Sequence, residues 1–547
     1  MKVIITEKPS VARKIAYFLF GNSVRPIKIG KLTVYQAKDY VVVPAIGHIF
    51  TLTIKGQGLP VFEYDWTLRN DPYCRALVKY LKSIKPRVEE VIIATDYDIE
   101  GELIGYNIVR FCLGKVKTKR MKFSEITKQA IKNAFEHPID VDHNLVKAGE
   151  TRHILDLLYG INFSRYIQKE FKKYYLSAGR VQTPLLKIIY QREKEIENFV
   201  PKNYYRLLLE TEKFKVFYKK TFETLDQAKE AKKKGSNECL VKDLETVEEK
   251  LYPRPPFNLT KLQEEAWRLY KIKPEDTLRI AQRLYEAGYI SYPRTSSEKY
   301  PKNLNFKQIF EKLSVFNEYK PYVNNIFERW PVRPVEGKKD DPAHPCIYPT
   351  GYLPKKMTKK EFYIYSLVVK RFLCTFLEPA ILLQTKAKIV SGELVFELSF
   401  KKIKTPSWLD LYPITIETTD LDLKPGLRLP CKLRIKKEKT KPPSRYNPAS
   451  LVKYMETINI GTKSTRAMMV EKLFKRGYIT GSRTVKITDL GKRVIELLDK
   501  KFPKITSIDL TREMEEELEK IESGKGSGEE VVTKAKSLIK ESIQGKE

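Results

Sequence analysis

Val91-Ile92-Ile93-Ala94-Thr95-Asp96-Tyr97-Asp98-Ile99-Glu100-Gly101-Glu102 is the stretch on which the fold class turns. The apolar run does not alternate, so it predicts a strand buried on both faces of a parallel sheet. Leu103, Ile104 and Ile108 then recur at helical spacing. A strand that passes into a helix through an acidic turn is the α/β arrangement that places chemistry at the carboxyl ends of strands. Four carboxylates within seven residues repel one another. A helix N-terminus gains from one or two acids and has no need of more. The surplus predicts a divalent cation held by hard oxygen ligands, of which Mg²⁺ is the natural choice. Two further runs support the sheet. Val3–Thr6 leads into Glu7-Lys8-Pro9-Ser10 and a helix, and Tyr40–Ala45 leads into Gly47-His48.

Composition narrows the partner. Among 547 residues, 102 Lys and Arg stand against 68 Asp and Glu, a net charge of +34. A solvated lysine-rich surface explains many charges but not this imbalance, which attracts a polyanion such as nucleic acid. The 32 tyrosines and 25 phenylalanines offer stacking faces for unpaired bases, although most belong in cores. The length suits about three or four domains. The six cysteines are scattered with no C-x-x-C pair, which argues against a zinc ribbon and fits a reducing compartment. No signal peptide or membrane-length apolar run is present, so a soluble, cytoplasmic, nucleoid-associated protein is expected. Gly461-Thr462-Lys463-Ser464-Thr465 lacks the glycine spacing of a P-loop, which argues against an ATP-driven motor.

A second stretch carries a nucleophile. In Ile290-Ser291-Tyr292-Pro293-Arg294-Thr295-Ser296-Ser297, Pro293 is expected to end a short strand and leave the Tyr292 hydroxyl facing a cleft. Arg294 supplies a planar fork for a phosphate. On its own the tripeptide is more often a turn. Leu284–Ser291 echoes Leu473–Thr480, each a helix closed by glycine before a strand, and each follows another helix. Those helices are Leu259–Tyr270, with capping-box spacing at Thr260 and Gln263, and Ala449–Ile458. The outline is that of a winged helix. Residues 120–160 read as helical. Leu176–Pro184 places Arg180 and Gln182 at a helix start beside small residues that would let a phosphate approach. Strand patterns at 204–218 and 380–435 suggest one β domain interrupted by an insertion. A proline-rich loop, Asp341–Thr350, holds His344, one of five histidines. The tail reads as a helix over 514–521, a glycine-rich break and a last charged helix expected to fray.

Taken in order, these motifs resemble those of the type IA DNA topoisomerases, of the archaeal topoisomerase I and topoisomerase III kind, over nearly the whole chain. The motifs are Thr6–Ser10, Asp96–Glu102, Leu176–Pro184, Ile290–Ser297, Ala343–Thr350 and Gly461–Arg466. The resemblance implies a multidomain α/β plus α+β fold. A Toprim α/β domain, winged-helix-like domains and a β arch would form a four-domain torus. The implied divisions are Toprim at 1–140, a helical DNA-binding domain at 141–200 and 441–547, the β arch at 201–255 and 375–440, and the tyrosine domain at 256–374. It implies ATP-independent cleavage of one DNA strand through a 5′-phosphotyrosyl intermediate, strand passage and religation. Relaxation of negatively supercoiled DNA follows, with decatenation as a further activity. Tyr292 would be the nucleophile, assisted by Arg294, Lys8, Glu7 and His344. Asp96, Asp98, Glu100 and Glu7 would hold Mg²⁺, and Arg152, Arg180, Gln182 and Arg466 would contact the strand. A monomer acting on single-stranded regions is expected, with RNA and a helicase as further candidate partners. The chain departs from the pattern at Ser296, Ile99 and Leu157, where relatives carry an aspartate and two arginines. The rival readings are a Toprim nuclease or primase, and a single-stranded nucleic-acid-binding protein. A high content of Lys, Arg and Glu hints at a thermophile.

Overall fold

The computed structural model describes residues 1–412 and 414–544. The first part of the chain runs β1 (Lys2–Thr6), α1 (Pro9–Phe20), β2 (Arg25–Ile29), β3 (Leu32–Ala37), β4 (Tyr40–Pro44), β5 (Phe50–Ile54), β6 (Tyr64–Leu68), α2 (Pro72–Ile84), β7 (Glu90–Ala94), α3 (Ile99–Ile108), β8 (Lys117–Arg120) and α4 (Lys128–Glu136). Its main sheet has the order β2-β3-β4-β1-β7-β8. β1 lies parallel to β4 and β7, and β7 parallel to β8. The three expected runs are therefore its centre. Val3, Ile5, Val41, Val43, Val91 and Ile93 enter one core with α2 and α3. Ile4, Val42 and Ile92 enter another with α1 and α4. Each such fully buried side chain contributes about 1.5–3 kcal/mol, which is why these strands tolerate no polar alternation. Thr6 pairs with Ala94, so the segments that leave β1 and β7 emerge side by side.

Residues 120–160 are not continuously helical. Arg120 ends the edge strand β8, and helix resumes only at α4 and at α5 (His143–Phe171). Lys-Thr-Lys-Arg carries no apolar signal, so only its pairing with β7 reveals the strand.

Next come α6 (Gln182–Glu197), β9 (Asn203–Glu210), β10 (Lys215–Phe222), α7 (Leu225–Lys233), β11 (Glu238–Leu251), α8 (Leu259–Tyr270), α9 (Pro274–Glu286), α10 (Phe306–Leu313), α11 (Lys320–Glu328), α12 (Lys359–Cys374), β12 (Ala380–Ser391), β13 (Leu394–Thr405), β14 (Arg428–Pro430) and β15 (Lys432–Lys439). The two β segments do pair across the helices between them. Their sheets have the orders β10-β9-β15 and β13-β12-β11-β14. The long strand β11 escaped the sequence reading because its exposed half is Glu- and Lys-rich.

The chain ends with α13 (Pro448–Thr457), α14 (Arg466–Lys475), β16 (Ile479–Thr480), β17 (Lys486–Ile487), α15 (Asp489–Lys501), α16 (Ile508–Glu522) and α17 (Gly528–Gln544). These elements share one core with α5 and α6. The last helix, expected to fray, has an anchored side: Val531, Val532, Ala535 and Ile539 are buried in that core.

The internal echo is only half realised. After α14 the chain forms a two-stranded wing, β16 with β17. After α9 it makes a single bridge, Ile290 with Pro349. Pro293 offers no amide, and the amide of Tyr292 is taken by the Ser124 carbonyl, so no strand propagates. The cap of α8 is Asn258, whose side chain accepts from the Lys261 amide, rather than Thr260.

Candidate active site

The acidic turn is shaped by backbone needs first. Asp98 caps α3, its Oδ1 accepting from the Gly101 amide at 2.8 Å. Thr95 Oγ1 donates to the Gly101 carbonyl at 2.7 Å. A Cβ at 101 would lie 2.0 Å from the Asp96 carbonyl oxygen, so only glycine lets the turn fold back this tightly. Gly101→Ala is therefore expected to displace Asp96 and to lower the melting temperature by roughly 5 °C, read by calorimetry against the parent chain.

The four acids of the turn part company. Glu100 and Glu102, two apart on α3, point about 200° apart, and Asp98 is the extended cap before them, so one site cannot receive them all. Glu102 is buried with Arg120, which donates to it from Nε at 2.6 Å. Glu100 faces His48 and His153, at 2.7 and 2.9 Å from its Oε2. Asp96 and Asp98 turn toward the segment that holds Tyr292. The crowding that the sequence assigns to one cation is thus shared among an arginine, two histidines and the tyrosine segment.

Tyr292 is 1% exposed. Its hydroxyl donates to Asp98 Oδ2 at 2.6 Å, and its ring lies 4.2 Å from that of His344 between centroids. Burial, and then the negative charge of Asp98, push the phenol well above its ordinary pKa, with Arg294 acting against them. Arg294 Nη1 lies 3.6 Å from Asp98 Oδ2, and its buried Nε has no partner. Gln282 donates to Asp96 Oδ2 at 3.1 Å. Lys8 Nζ is 3.1 Å from Glu7 Oε1.

The residues at this edge fit a divalent cation. Asp96 is buried, and burial together with Glu7 and Asp98 pushes its carboxyl well above the usual range. The buried Gln282 Oε1 beside it is an acceptor without a partner. Hard oxygens in excess of donors are the donor set that Mg²⁺ suits.

His344 holds two segments together. Its Nδ1 lies 2.9 Å from Ser124 Oγ, and its Nε2 lies 2.8 Å from the Tyr97 carbonyl oxygen. Burial lowers its pKa to about 4. A histidine depressed below its unfolded value contributes stability above pH ~6.5 that is lost as pH falls toward about 4. The wild-type melting temperature should therefore drop between pH 7 and pH 4.5 by more than that of His344→Phe, measured in matched buffers.

The residues expected to touch a strand lie inside the helical core. Arg180 is 4% exposed and donates to Glu515 at 2.6 Å and to Asp156 at 3.1 Å. Arg152 Nη2 is 3.5 Å from the other Glu515 oxygen, while its Nε is buried without a partner. Gln182 bonds Ser177, and Arg466 donates to the Ile460 carbonyl. Glu515 was not singled out in the sequence, because nothing local marks an acid in α16 as the partner of arginines some three hundred residues away. His48, Ser124, His153 and Gln282 were likewise missed as site neighbours. Of these, only His48, following the strand end at Gly47, carried a local cue.

Residues 140–533 match the family described as DNA topoisomerase, and residues 2–126 match the Toprim domain. Fold and site together define a Toprim-containing enzyme with a tyrosine set against its carboxylates. DNA topoisomerase 1 of Pyrococcus horikoshii is 39% identical, over 98% of this chain and 83% of its own. DNA topoisomerase 1 of Aquifex aeolicus is 33% identical, over 100% of this chain and 99% of its own. The solved full-length topoisomerase I of Thermotoga maritima aligns with a TM-score of 0.80 at 27% identity, over 99% of this chain and 90% of that one. The chain belongs to the type IA DNA topoisomerase family. It is an isomerase that acts on DNA, and no helix among the described residues is long and apolar enough to cross a membrane.

Proposed function

We propose that Tyr292 attacks a backbone phosphate in a single-stranded region of negatively supercoiled DNA. The phenolic oxygen bonds to phosphorus, the bond to the 3′ oxygen breaks, and the protein keeps the 5′-phosphate. The observation that carries this is the 2.6 Å hydrogen bond from Tyr292 to Asp98 with a partly unpartnered Arg294 beside it. Asp98 accepts the phenolic proton as the oxygen attacks. Arg294 stabilises charge that develops on the phosphate. Lys8 protonates the departing 3′ oxygen and is resupplied through Glu7, its ion-pair partner. His344, neutral near pH 7, orients the tyrosine ring and the Tyr97 turn rather than moving a proton.

Glu7, Asp96 and Asp98 would hold Mg²⁺. Bound there, the ion would neutralise these carboxylates and supply Lewis-acid chemistry. Glu100 stands apart with its histidines. Arg152 is retained as a strand contact because one buried nitrogen lacks a partner. Arg180, Gln182 and Arg466 support the helical core instead.

Trading a phosphodiester for a phosphotyrosyl ester conserves bond energy, so religation needs no ATP. The phenol is closed off, so strand entry requires the tyrosine segment to part from the Toprim edge. Cleavage as a monomer, RNA as a second substrate and a helicase partner extend the same reading. The test is covalent trapping on oligonucleotides labelled at one end and stopped with denaturant. A protein band that retains the 3′-end label alone is the expected result. Retention of the 5′-end label reverses the polarity, and cleavage without any adduct points to a nuclease.

A further inference from the structure

His48, Glu100 and His153 converge from three separate elements. His48 follows β4 immediately after Gly47, whose φ is +76°. Glu100 lies in the first turn of α3, and His153 lies in the middle of α5. Both imidazole Nε2 atoms aim at one oxygen, Glu100 Oε2, at 2.7 and 2.9 Å. The two rings are 4.7 Å apart between centroids. The approach of the helices is built in, since a Cβ at Gly149 would lie 3.0 Å from Ile99 Cγ2 and 3.2 Å from the Ile99 carbonyl oxygen. One turn further along α5, that close contact sets His153 against Glu100.

We propose that His48, Glu100 and His153 form a zinc-class site, separate from the all-oxygen edge of Glu7, Asp96 and Asp98. The reading goes beyond strand transfer and does not depend on it. Three donor atoms that lie within 4.8 Å of one another form one face of a coordination sphere. Tetrahedral zinc ligands of this kind sit about 3.3 Å apart, so the present spacings need only small side-chain adjustments. Two imidazoles and a carboxylate favour a borderline transition ion, whereas Mg²⁺ prefers oxygen and water. The three side chains are 21%, 32% and 27% exposed in chain order, which leaves a face open for a water or a phosphate oxygen as fourth ligand. Competing thiolates are absent, because all six cysteines are buried and burial raises several of them.

The test uses the full chain stripped of metal, then exposed to Zn²⁺ in the presence of millimolar Mg²⁺. Titration calorimetry and elemental analysis after gel filtration provide the readouts. One zinc per chain is expected, retained in Asp96→Asn and weakened at least about tenfold in His48→Gln/His153→Gln. Co²⁺ loading should give a visible absorption band that the same double variant loses, while its far-UV circular dichroism stays that of the parent. Absence of bound zinc under excess Mg²⁺, or stoichiometry unchanged in the double variant, would overturn the proposal. Loss of zinc in Asp96→Asn would merge the two sites and overturn it equally.

Discussion

Tyr292→Phe abolishes the covalent protein–DNA adduct and lowers plasmid relaxation by on the order of 10⁴-fold or more. In the proposed reaction the oxygen is the bond-forming atom and the groups around it serve it: Asp98, which accepts its hydrogen bond, would take the proton, Arg294 would meet the phosphate, and His344 packs against the ring. The ring itself is buried, so phenylalanine keeps the packing and removes one hydrogen bond to a charged group. That loss costs about 1.5–3 kcal/mol at most. A folded variant that binds single-stranded DNA with little change, yet leaves no labelled protein band on a denaturing gel, is the expected outcome. Residual adduct in Tyr292→Phe would place the nucleophile elsewhere and dissolve the proposed mechanism.

Arg120→Met produces the largest loss of stability expected from a single substitution near the site. Arg120 is fully buried, and its Nε donates to Glu102 at 2.6 Å. Its other nitrogens donate to the carbonyls of Ile93, Met121 and Asp96 at 3.1, 3.0 and 2.7 Å. Glu102 uses its second oxygen to accept the Asp142 amide at 2.9 Å. Methionine fills the volume but leaves Glu102 a buried, unpaired charge, at a cost of about 3–5 kcal/mol. The corresponding melting transition should fall by roughly 10 °C. Cleavage should fall as well, because the Asp96 carbonyl loses its anchor. The double variant Arg120→Met/Glu102→Leu should melt above the single Arg120→Met, since it removes the stranded charge along with its partner. If the double variant melts lower than either single one, the loss comes from packing and not from charge.

These two outcomes separate what neighbours in the chain can announce from what they cannot. β1, β4 and β7 were legible because burial on both faces forbids polar residues, and that constraint is written into consecutive positions. Gly101, Asp98 and Thr95 form a turn within seven residues, so its acidity was legible too, whereas its tightness shows only in the contact of Gly101 with the Asp96 carbonyl. The proposal of Tyr292 as a nucleophile beside the Arg294 fork likewise rests on residues two apart in the chain. β8, β11 and the true cap of α8 were not legible, because an edge strand or a cap declares itself only through its partner.

The sequence by itself determined the fold class and the family, and it supplied the tyrosine on which the proposed reaction rests, since each depends on residue types at short, ordered spacing. Only the tertiary structure decided which acid serves which role. Helical periodicity turns Glu100 away from Glu102, the extended backbone of the cap aims Asp98 a third way, and distant residues then claim each one: Tyr292 for Asp98, His48 and His153 for Glu100, Arg120 for Glu102. The same holds for Arg180, whose charge is met by Glu515, brought from α16 by the packing of the helical core. A charge is assigned by what surrounds it in space, and that surrounding is fixed by long-range packing rather than by adjacency along the chain.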